Sequence, residues 1–169
     1  MTEKPFEKLA AMSVRELETV FLRGKKPTLA ALAGSEFRGL NHPAWAKVVG
    51  IKKFIKGFYW KGDVLWGYNC AAKQNALSEP WQYKGDNPKR FGFYQVAPVD
   101  AAARDNQYLH SVLLDYGKGN NKAYDPSRNL RDYLVQVDPD NNDLYLGKAY
   151  YALGPLRVKA NFFLLERLT

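Results

Sequence analysis

Charged side chains embedded in apolar runs are the first residues of this chain that could do chemistry. Asp115 ends Val112-Leu113-Leu114, Arg131 and Asp132 open Tyr133-Leu134-Val135, and Lys148 stands between Leu144-Tyr145-Leu146-Gly147 and Ala149-Tyr150. In an extended strand successive side chains face opposite ways, so Asp132 shares a side with Leu134 and Arg131 with Tyr133. A charge turned into an apolar interior needs a partner, because an unpaired buried ion is costly. Such residues can serve as a cross-strand ion pair at the rim of a barrel. The other reading makes them polar anchors that orient a ligand in an apolar cavity. On the second reading the candidate ligand-binding residues are His110, Arg131, Asp132, Lys148 and Tyr150. A third reading pairs His110 with Asp132 as acid and base, which requires them to meet directly or through one water.

A second constellation mixes cations with rings. Trp45, Lys52, Lys53 and Lys56, with Lys47, Tyr59 and Trp60 nearby, could rest on an anionic membrane or grip a protein partner. The net charge of +8 favours acidic partners, but it is spread along the chain and carries no specific nucleic-acid signature. Two histidines, His42 and His110, and one cysteine, Cys70, give no metal-ligand spacing, so no metal and no cofactor are expected. Cys70 reads as a small buried hydrophobe. No nucleophile elbow or dinucleotide fingerprint is present. The glycine-rich Gly117-Lys118-Gly119-Asn120-Asn121 follows a hairpin-type strand, a poor setting for a phosphate loop.

The elements that must position these residues follow from spacing. In 169 residues, 46% are hydrophobic and 14% aromatic, enough for one core in one domain. Residues 1–12 read as a weakly ordered lead-in without an apolar signal segment, and a cytoplasmic setting is expected. Ser13-Val14-Arg15-Glu16 is a capping box that starts a helix ending near Gly24. A further helical turn at Leu29–Leu32 follows Thr28. From Ala44 to Phe58, apolar residues at 44, 48, 51, 55 and 58 predict a helix. The stretch 13–58 is thus helical with one short strand, Glu36–Leu40. From 58 to 168, Phe58–Asn69, Phe91–Val96, Tyr108–Tyr116, Leu130–Val137, Leu144–Leu153 and Leu156–Leu168 are predicted strands, separated by Gly, Asn, Asp and Pro. Asp138-Pro139-Asp140-Asn141-Asn142-Asp143 and Gly154-Pro155 are connections too short for parallel crossovers. The fold class is mainly β (α+β): an antiparallel up-and-down barrel of seven or eight strands, with an N-terminal helix and a helix between the first strands.

Gly34-Ser35-Glu36-Phe37-Arg38-Gly39 is similar to the Gly-x-Trp step with which calycin barrels open, with Phe37 displaced and in place of the Trp. The order strand, helix, meander over residues 34–168 resembles the same superfamily, the lipocalins and fatty-acid-binding proteins. The resemblance implies a ligand-binding barrel with Ala44–Lys56 in the place of a helical lid. The Arg-x-Tyr carboxylate clamp of the fatty-acid-binding branch is replaced here by Glu166-Arg167-Leu168. The chain also resembles an uncharacterised bacterial family, which implies no activity. The leading expectation is therefore a barrel that binds a hydrophobic or amphipathic, possibly acidic, small molecule.

Overall fold

The computed structural model describes residues 4–42 and 50–168. Three helices precede the sheet: α1 Pro5–Ala11, α2 Val14–Arg23 and α3 Leu29–Leu32. The strands follow as β1 Glu36–Asn41, β2 Lys53–Lys61, β3 Val64–Ala71, β4 Arg90–Pro98, β5 Val112–Asp115, β6 Leu130–Gln136, β7 Leu144–Leu153 and β8 Leu156–Arg167. Each strand pairs antiparallel with its neighbour in sequence, and β8 returns to β1, closing an eight-stranded up-and-down barrel. Closure leaves no edge strand to cover among the described residues.

The predicted capping box starts α2. The Ser13 hydroxyl accepts from the Glu16 amide, and the Glu16 carboxylate accepts from the Ser13 amide at 2.8 Å. Pairing with Ser13 holds the Glu16 carboxyl below its usual range. The buried Leu17 and Phe21 then lay α2 on the outside of the wall against Val135, Leu146, Phe162 and Leu164. Helix α3 does something different: Leu29, Leu32 and Ala33 pack into the interior cluster with Phe37, Phe58 and Tyr145. Arg167 fastens that end, lying 5.0 Å over the Phe37 ring and donating to the Ala31 carbonyl at 2.7 Å. One half of the barrel is thus filled by edge-to-face rings, Phe58 meeting both Phe37 and Tyr94, and Phe37 meeting Tyr145.

Glycines make room for those rings on the wall. A Cβ at Gly67 would run into the Tyr94 ring, and one at Gly147 into the Phe163 ring. Gly147 and Phe163 are directly opposed on β7 and β8. Substituting Gly147→Val is expected to cost about 1–3 kcal/mol through overpacking, read as a lower urea midpoint. An unchanged midpoint would show that Phe163 has somewhere else to go.

Four sequence expectations are corrected. The lead-in contains α1, anchored by the buried Phe6 and Leu9; Pro5 starts it at a position where its missing N–H costs nothing. Over Lys53–Phe58 the predicted helix is strand β2, while residues 44–49 of that prediction lie outside the described residues. Here the 4-3-4-3 spacing misleads because every residue from Lys53 to Phe58 is buried, so both faces of the strand are covered and simple alternation is lost. The run Phe58–Asn69 is two strands, broken by Gly62 at φ +59°. Tyr108–Tyr116 shortens to Val112–Asp115, which leaves His110 in a turn rather than in a strand.

Candidate ligand cavity

The half of the barrel away from α3 is not filled. It holds an open cavity of about 360 Å³, walled largely by apolar groups, among them Phe54, Phe91, Leu130, Ala149 and Phe163. This volume lies at the lower end of the range for small-molecule sites, ~300–1,000 Å³. Ile51 and Phe91, each about half exposed, stand at its mouth.

Polar groups converge at the inner end. Alternation on β2 turns Phe54, Lys56 and Phe58 inward, and alternation on β6 turns Asp132 and Leu134 inward. Lys56 and Asp132 are only 2% and 3% exposed, and Lys56 Nζ lies 3.6 Å from Asp132 Oδ2. The ammonium also donates to Asn69 Oδ1 at 2.9 Å and to the Tyr116 hydroxyl at 2.5 Å. Tyr116 in turn donates to Asp132 Oδ2 at 3.2 Å, and the Asn69 amide donates to the Gly92 carbonyl at 2.9 Å. The Lys56 ammonium also lies 4.6 Å from the centre of the Tyr94 ring.

Burial drives both ends of the ion pair toward neutrality. It pushes the Lys56 ammonium down to about 8, opposed by the neighbouring Asp132 charge. It pushes the Asp132 carboxyl up, opposed by Lys56. The same desolvation, reinforced by the Asp132 charge, raises the Tyr116 phenol well above its ordinary value, so it remains a donor at neutral pH.

Of the five predicted anchors, only Asp132 reaches this interior. Arg131, one residue away, faces outward and is held by Asp105 at 3.3 Å and Asp115 at 3.1 Å. Lys148 lies under α2, 2.6 Å from Glu18 and from the Tyr108 hydroxyl. Tyr150 meets that same hydroxyl at 2.7 Å, also on the outer face. His110 bonds the Phe21 carbonyl at 3.1 Å beneath α2. His110 and Asp132 therefore sit on opposite sides of the wall, and the acid–base pairing is not formed.

Two of the four residues expected on a membrane or partner surface, Lys53 and Lys56, are buried instead. Lys56 points into the cavity. Lys53 is fully buried on the outer face, donating to the carbonyls of Ala76 and Glu79 at 2.6 and 2.9 Å beneath the Trp81 ring. Burial lowers the Lys53 ammonium below its usual range. Lys52 is exposed, and Trp45 lies outside the described residues.

Comparison of the chain with protein families, with curated proteins and with solved structures finds no match. What the chain can bind must be read from its own geometry. Among the described residues there is no cluster of metal-ligating side chains, and no helix is long and apolar enough to cross a membrane.

Sequence reasoning missed Lys56, Asn69 and Tyr116 as cavity residues. The available signal was Phe54-Ile55-Lys56-Gly57-Phe58, where a lysine stands at strand spacing between two phenylalanines. Asn69 carried a weaker one, as a polar residue just before the buried Cys70.

Proposed function

We propose that this barrel binds a small amphipathic molecule, with its apolar body against Phe54, Ala149 and Phe163 and its polar end toward Lys56 and Asp132. The observation that carries the reading is the open 360 Å³ cavity leading to a buried ion pair. A core built only for stability gains little from such an arrangement. Empty volume costs packing energy, and an apolar pair of similar size is often as stable as a buried ion pair. The closed meander supports the calycin-like reading, in which ligand sites occupy the barrel interior.

Native mass spectrometry of the purified chain tests the proposal. A retained small molecule is expected, or a stoichiometric adduct on addition of decanol. Ala149→Phe, which puts a ring into the cavity, is expected to weaken that adduct at least about tenfold while leaving the far-ultraviolet circular dichroism unchanged. Failure of the native chain to retain or take up any amphiphile would overturn the reading.

A further inference from the structure

The hydrogen-bond inventory of the cavity says what kind of polar end it takes. An ammonium has three donors, a primary amide two and a phenol one. Those of Lys56 face Asn69 Oδ1, Tyr116 Oη and Asp132 Oδ2. The two of Asn69 go to the Gly92 carbonyl at 2.9 Å and Tyr116 Oη at 3.3 Å, and that of Tyr116 goes to Asp132 Oδ2. Nearer the mouth, the Tyr151 hydroxyl donates to the Pro126 carbonyl, and the Asn161 amide donates to Asn41 Oδ1 and the Phe162 carbonyl. Every one of these donors is committed within the protein.

Acceptors are left over. Asp132 Oδ1 is buried and receives no hydrogen bond among the described residues, and the Ser127 hydroxyl, on the 3₁₀ turn Pro126–Asn129, is unmatched both as acceptor and as donor. Both residues line the cavity. A buried acceptor without a donor is destabilising, so a ligand that supplies one recovers that loss. The charges sharpen the choice, because Lys56 and Asp132 already neutralise each other. A carboxylate would find the Lys56, Asn69 and Tyr116 donors already taken, with only the Ser127 hydroxyl free, and would face the Asp132 carboxylate. An ammonium would bring a second buried cation beside Lys56.

We infer that the ligand's polar end is an uncharged hydrogen-bond donor, a hydroxyl or amide N–H, received by Asp132. This rests on the cavity being a binding site and replaces the expectation of an acidic ligand.

Isothermal titration of the full chain with decanol, decanoate and decylamine at neutral pH is the test. Decanol is expected to bind at least about tenfold more tightly than either charged analogue. Equal or tighter binding of decanoate or decylamine, lost in Ala149→Phe, overturns this inference and leaves the binding cavity standing. No binding of any of the three overturns both. Asp132→Asn strips Lys56 of its counter-charge, and the order is expected to reverse in favour of decanoate; an unchanged order overturns the assignment of Asp132. Should that variant not fold, the ranking with the native chain decides the matter alone.

Discussion

Replacing Asp132 with leucine is expected to lower the unfolding free energy by about 3–5 kcal/mol. The cause is what remains behind. Lys56 would lose the charge that opposes its burial, leaving either an unpaired ammonium with only the Asn69 carbonyl and the Tyr116 oxygen to solvate it or an amine driven to give up its proton. The partner substitution gives the control: Lys56→Met combined with Asp132→Leu removes both charges, and such exchanges are often neutral or stabilising. Urea unfolding of the two variants beside the native chain checks this. A single variant within about 1 kcal/mol of the native chain would mean that Lys56 escapes to water, contradicting its burial.

Stability is expected to rise with pH from neutrality to about pH 9.5, by about 2 kcal/mol. The Lys56 ammonium, ordinarily at 10.5, is pushed down to about 8 by burial. Between those values the unfolded chain holds a proton that the folded chain has released, so raising the pH favours folding; below about 8 both states carry it and the full cost of burial remains. Buried phenols set the upper limit. Tyr94 and Tyr116 are raised well above their ordinary value by burial. Above about pH 10 the unfolded chain loses phenol protons that the folded chain keeps, and stability falls again. Urea midpoints taken across this range should show a rise followed by a fall, and Lys56→Met should remove most of the rise, leaving the smaller part that the lowered Lys53 contributes. A rise undiminished in Lys56→Met would assign it to another group.

Architecture was largely legible in the sequence because the connections carry it. Asp138-Pro139-Asp140-Asn141-Asn142-Asp143 and Gly154-Pro155 are too short to join anything but antiparallel neighbours, and they do so between β6, β7 and β8. The Ser13–Glu16 box is local chemistry and needs no tertiary contact to be read. Strand β2 was illegible for the opposite reason. Its outer face is covered by distant residues, Trp81 over Lys53 and Tyr83 in the cluster around Ile55, so its polarity records the loop above it rather than solvent. The site shared that difficulty. Strand parity separates Asp132 from Arg131, yet parity alone does not say that Lys148 turns toward α2 or that Lys56 turns inward. Those facts depend on which face each helix and loop covers.

The seam between β1 and β8 joins segments more than a hundred residues apart, Phe37 facing Arg167 and Asn41 facing Phe163. Until the last strand arrives, a nascent chain leaving the ribosome presents β1 and β7 as naked backbone, open to pairing with other chains. Productive folding is therefore a race in which the final hairpin acts as the clasp. Shielding of those two borders by a chaperone matters most while residues 156–167 are still being made.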